Sequence, residues 1–137
     1  MANKILGHIL LVDDEKLLLD VLRDFLTDEG YAVLVASHAA AALQLLATEK
    51  VDVCFVDMQL ADMGGNDLIR RAQALRPAVK FIIHTGAPDY VLPEELGHLG
   101  IGAADIFIKP VVDMAVFLQA IDRLMRQKQR TLTQDEN

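Results

Sequence analysis

Hydrophobic positions along the chain cluster in five short runs rich in β-branched residues, "HILLVDD", "YAVLVAS", "VDVCFVD", "VKFIIHT" and "ADIFIKP". Each is bounded by turn-forming or charged residues and followed by a stretch with helical spacing, which predicts five strand–helix units. Within the runs nearly every position is apolar, without the clean alternation of a half-solvated strand. That pattern suits parallel strands covered on both faces by helices.

The helical stretches carry signals of their own. Leu18, Leu22, Phe25 and Leu26 line the first. Ser37 precedes the alanine-rich second, "HAAAALQLLA". Leu68, Ile69, Ala72 and Leu75 repeat at helical spacing in the third, after Gly64 and Gly65, and the pair Arg76 and Pro77 closes it. In the last, Asp113 can cap a segment whose stripe is Met114, Phe117, Leu118, Ile121, Leu124 and Met125. The fourth helix is interrupted in prospect, because Pro88 and Pro93 both follow "HTG" and an interior proline costs about 3 kcal/mol. A long loop and a short helix from near Pro93, with Glu94 and Glu95 in its first turn, fit best. Beyond Met125 the stripe ends, so residues 128–137 are expected to be a frayed tail or the start of a linker, after one domain spanning 1–127.

Composition narrows the functional classes. The 137 residues suit one domain, and with 53% apolar residues, 5% aromatic and no Trp the core must be aliphatic. A formal net charge of -7 argues against a broad surface for nucleic acid or anionic lipid. No apolar stretch is long enough to span a membrane, and the N-terminal segment lacks a small-residue cleavage site, so a cytoplasmic protein is expected. Cys54 stands alone inside an apolar run and reads as a buried, inert thiol. His8, His38, His84 and His98 lie on different elements without ligand-like spacing, which disfavours zinc. By alternation His84 points away from the residue that follows it.

In an open parallel sheet, ligands bind at the carboxyl ends of the strands. The five runs end on Asp13 and Asp14, on Asp57, on Thr85 and on Lys109. Gathering three carboxylates there is costly, since two like charges about 4 Å apart repel by roughly 4 kcal/mol at an effective dielectric of about 20. A hard, partly hydrated divalent cation with oxygen ligands would relieve that repulsion, and Lys109 adds a fixed positive charge. Thr85 offers a hydroxyl to a phosphoryl oxygen, and a carboxylate so surrounded can act as a nucleophile toward a phosphodonor. Simpler roles stay open for each residue: helix capping for Asp13 and Asp14, a solvated strand end for Asp57, a turn for Thr85, snorkelling for Lys109.

The segments "LLVDDE", "VCFVDMQLADMGG", "IIHTGA" and "GAADIFIKP" resemble the receiver domain of two-component response regulators, from about Ile9 to about Met125. The resemblance implies a flavodoxin-like (βα)5 fold with strand order 2-1-3-4-5. It implies Mg2+ held by Asp13 or Asp14 with Asp57, the backbone carbonyl of Gln59 completing the metal shell. It further implies Asp57 as phosphoacceptor from a sensor histidine kinase or phosphotransfer protein, Lys109 and Thr85 on the phosphoryl group, and a cis Lys109–Pro110 bond. Output would pass to a downstream effector protein or a fused effector domain, with homodimerisation through the face of helix 4, strand 5 and helix 5 as an option.

The chain departs from the family in two places. Receivers usually carry an aromatic residue three positions before the strand-five lysine, where this chain has Ile106. Phe107 falls on the opposite face by alternation and reads as core. Thr85 and the loop from Gly86 to Leu92 remain as candidates for movement. After Asp57, Ala61 replaces the usual proline and Gly64 the usual acidic residue, which loosens that loop. Gln59 and Ala87, each two residues past a site residue, are placed to tune attack of water on an acyl phosphate. Two other functions compete: a receiver-fold binding module independent of phosphorylation, suggested by Ile106, and an aspartate-nucleophile phosphatase. The second expects two acidic residues spaced two apart at the first strand, whereas "DD" is adjacent.

Overall fold

The computed structural model describes residues 4–135, with side chains through Arg130. Five parallel strands, β1 (His8–Val12), β2 (Ala32–Ala36), β3 (Val53–Val56), β4 (Lys80–Thr85) and β5 (Ile106–Ile108), form one sheet in the order β2-β1-β3-β4-β5. The helices are α1 (Lys16–Asp28), α2 (Ala39–Thr48), α3 (Gly65–Leu75), α4 (Glu94–Gly97) and α5 (Ala115–Asp135). This is the doubly wound flavodoxin-like architecture expected, with the strand order expected.

Alternation along the strands divides the core into two layers. Leu10, Val12, Cys54, Val56, Phe81 and Ile83 pack with α2 and α3 on one face. Ile9, Leu11, Val53, Phe55 and Ile82 pack with α1 and α5 on the other, around Phe117, whose ring meets Phe55, His84 and Phe107 edge-on at 5.0–5.3 Å. Phe107 is core, as its position in the strand predicts, and Ile106 faces the opposite layer. Cys54 is fully buried, which pushes its thiol pKa far up.

Local signals account for most boundaries. The Asp113 carboxylate accepts from the Ala115 N–H at 3.0 Å and opens α5. Pro93 immediately precedes a four-residue α4. The start of α2 differs from the simple Ser37 reading: His38 is its cap, accepting from Ala41 N–H, and Asp62 reaches from the β3–α3 loop to accept from Ala39 and Ala40 N–H, both at 3.0 Å. Leu75 is 45% exposed, because α3 closes at Arg76 before its stripe reaches the core again.

The largest departure is the tail. Fraying from residue 128 is not seen: α5 runs to Asp135, and only 136–137 of that tail lie outside the described residues. Lys128 donates to the buried Asp52 at 2.8 Å, tying α5 to the amino end of β3. Asp52 also accepts from the backbone N–H of His8 at 2.9 Å. Burial opposes the ionised form of Asp52, but the Lys128 hydrogen bond leads the group that holds its pKa below the usual range. Among the described residues no helix is long and apolar enough to cross a membrane.

Candidate functional site

The site forms where strand ladders stop. Asp13 N–H donates to Ala36 O, Asp57 N–H to Val12 O and Lys109 N–H to Thr85 O, at 3.1, 3.1 and 2.8 Å. Each residue is thus held one step past its strand by a backbone bond that continues the ladder. Asp13 and Asp57 are 4% and 3% exposed and Asp14 is open to solvent, and one carboxylate oxygen from each lies within 4.8 Å of the others.

Lys109 is the cation among them. Its Nζ is 2.8 Å from Asp13 Oδ2, 2.9 Å from Glu15 Oε1 and 3.4 Å from Asp57 Oδ2. Burial alone would lower its pKa; the hydrogen bonds to Asp13 and Glu15 more than offset this and hold it above its ordinary value. Asp13 shows the reverse balance, since burial raises its carboxyl more than Lys109 and the Glu15 N–H lower it. Four carboxylates therefore share one ammonium, and the pocket keeps an excess of negative charge. An all-oxygen donor set with uncompensated negative charge fits a hard divalent cation and suits neither zinc nor a soft metal.

The neighbouring residues complete the setting. Thr85 is fully buried at the end of β4, and its hydroxyl oxygen accepts from Ala87 N–H at 3.3 Å. Gln59 donates its backbone N–H to Asp57 Oδ1 at 3.1 Å, and its side-chain Oε1 lies 3.3 Å from where a Cβ on Gly86 would stand. The loop after Asp57 turns back so sharply that a Cβ on Gly65 would lie 2.6 Å from the Asp57 carbonyl oxygen, so this position takes glycine. Lys109 and Pro110 are joined by a cis peptide bond. His84 points to the other layer, where burial lowers its pKa to about 4 and its Nε2 has no hydrogen-bond partner.

All the sequence-predicted residues, Asp13, Asp14, Asp57, Gln59, Thr85 and Lys109, fall at this one edge of the sheet. Two participants were not foreseen. Glu15, third in "DDE", receives Lys109 from the far end of the chain. Asp62 clamps the otherwise loosened loop to α2; an acidic residue next to "LAD" gives little local sign of a distant helix end.

Comparison with known proteins agrees with this geometry. The family model for the response regulator receiver domain matches residues 9–122. The transcriptional regulatory protein GlrR of Escherichia coli is 36% identical over 124 residues, 88% of this chain and 27% of GlrR. The alginate biosynthesis transcriptional regulatory protein AlgB of Pseudomonas putida is 36% identical over 104 residues, 76% of this chain and 23% of AlgB. The chain thus spans about a quarter of the length of these relatives. A CheY-like receiver domain protein from Methanospirillum hungatei superposes with a TM-score of 0.76 at 32% identity, covering 91% of this chain and 98% of that one.

Proposed function

Because the chain belongs to the response regulator receiver domain family, we propose that Asp57 is its phosphoacceptor and that Asp13, Asp14, Asp57 and the Gln59 carbonyl hold Mg2+. The observation that carries this is the convergence of Asp13, Asp14 and Asp57 within 4.8 Å around Lys109 at the carboxyl edge of the sheet. An Asp57 carboxylate oxygen attacks the phosphorus of a phosphohistidine. The new O–P bond forms as the P–N bond breaks, and the imidazole leaves with that electron pair and takes up a proton. Magnesium, when bound, neutralises the phosphoryl oxygens. Lys109 contributes a fixed charge to the same oxygens, and Thr85 is placed to donate its hydroxyl once it releases Ala87 N–H.

The donor in this reading is a sensor histidine kinase or phosphotransfer protein, and the cell compartment is the cytoplasm. Phosphorylation adds roughly two negative charges at neutral pH and biases a two-state surface. The receiver of that signal is an effector protein or fused effector domain, with pairing of two copies through α4, β5 and α5 as one possible form of output. The relatives GlrR and AlgB are transcriptional regulatory proteins by name, which supports an effector partner. Intact-mass measurement with a small-molecule phosphodonor and Mg2+ tests the reading. One added phosphoryl mass, lost in Asp57→Asn, is expected; no mass change would refute it.

A further inference from the structure

If Asp57 takes the phosphoryl group, something must report it, and the usual position offers little. Ile106 is aliphatic and packs against the α2–α3 layer. Phe107 belongs to the opposite layer, fixed edge-on against Phe117 at 5.0 Å.

The loop between β4 and α4 carries a different ring. Tyr90 is half-buried and packs on the same core layer as Ile106. Its hydroxyl donates to Asn66 Oδ1 at 2.7 Å, and its backbone N–H donates to Ala87 O at 3.2 Å. Ala87 N–H in turn occupies the Thr85 hydroxyl. Asn66 is the second residue of α3, directly after Gly65, which sits against the Asp57 carbonyl. A continuous set of contacts therefore leaves Asp57 through α3, crosses to Tyr90 and returns to Thr85. The Arg70–Glu95 ion pair fastens the far end of the same loop to α3.

We propose that Tyr90 is the reporting aromatic of this receiver, its hydroxyl latched to Asn66 in the unphosphorylated state and released when Thr85 turns to the phosphoryl group. This rests on the phosphoacceptor reading above. Turning Thr85 Oγ toward Asp57 gives up the Ala87 N–H bond. Ala87 and Tyr90 are joined within one turn, so the shift reaches the ring directly. The surface altered is then the β4–α4 loop and α4, without a swing at position 106.

The chain has two tyrosines and no Trp, so Tyr31→Phe leaves Tyr90 as the only strong intrinsic fluorophore. In that background, Mg2+ with beryllium fluoride should change tyrosine emission, and Asp57→Asn should abolish the change. Tyr90→Phe and Asn66→Ala should each tighten beryllium fluoride binding roughly five-fold by removing one resting-state hydrogen bond. The double variant should gain no more than either single change. Calorimetric binding of beryllium fluoride with unchanged Tyr90 emission, or additive gains in the double variant, would overturn the latch while leaving Asp57 as phosphoacceptor. Absence of both fluoride binding and phosphoryl mass would remove the phosphoacceptor reading, and the latch with it.

Discussion

Asp13→Asn should make the metal-free protein more stable while removing its response to magnesium. Asp13 faces two carboxylates within 4.8 Å, each repelling it by roughly 3.5 kcal/mol at an effective dielectric of about 20. Lys109 at 2.8 Å attracts it by roughly 6 kcal/mol on the same scale. The Coulomb contributions nearly cancel, so desolvation of a carboxylate only 4% exposed decides the sign. The raised pKa of Asp13 points the same way. A folded carboxyl pKa above the unfolded one means that stability falls as pH rises from the ordinary 3.8 through the folded value, and stays lower at neutral pH. Asparagine is isosteric and keeps an oxygen for Lys109 and for the Glu15 N–H, so removing the charge should gain about 1–3 kcal/mol, on the order of 4–12 °C in Tm for this size. Magnesium at about a hundredfold above its Kd would add roughly 2.7 kcal/mol to the wild type and little to the variant. Thermal and urea unfolding with and without Mg2+ check both halves. A metal-free variant less stable than wild type would refute the charge balance, and an undiminished magnesium increment would refute the metal assignment.

Lys128→Met should cost about 2 kcal/mol, because it strands the buried Asp52 carboxylate with only the His8 N–H. The same pair sets a pH response in urea unfolding: with the folded pKa of Asp52 lowered, its contribution is present above 3.8 and is lost as pH falls below that through the folded value, a loss that Lys128→Met should shrink. Gly65→Ala should destabilise by about 2 kcal/mol and slow phosphoryl uptake measured by mass, since the new Cβ would meet the Asp57 carbonyl at 2.6 Å and the backbone must shift. Asp62→Ala should speed hydrogen exchange at the amides of Ala39 and Ala40 and lower the thermal midpoint; unchanged exchange would show that the clamp is idle.

The layered sheet was legible because the signals that specify it are local and periodic. Apolar runs fixed the strands, prolines delimited the fourth helix, and the fixed period of a strand put Phe107 and Ile106 in opposite layers. The continuation of α5 was not legible, because the residues after Met125 present no apolar stripe. They are good helix formers by intrinsic propensity, and what adds tertiary support is Lys128 reaching an aspartate 76 positions away. A charged residue buried at the start of an apolar run, Asp52 in "KVDV", was the available sign that some cation must come to meet it.

The same contrast separates the two ends of the switch. Asp13, Asp57, Thr85 and Lys109 sit at strand termini, so topology alone gathers them, and their charges explain why they must be compensated. The contact between Tyr90 and Asn66 joins a loop to the first turn of α3. No period places a side chain in such a loop; its position depends on where Pro88 and Pro93 bend the backbone and on how Gly65 seats α3 against Asp57. A single loop-to-helix hydrogen bond is worth about 1 kcal/mol, too little to specify a fold. It is enough to shift a two-state equilibrium several-fold. A receiver can thus retain its chemical site and relocate its reporter, because the two are under different physical constraints.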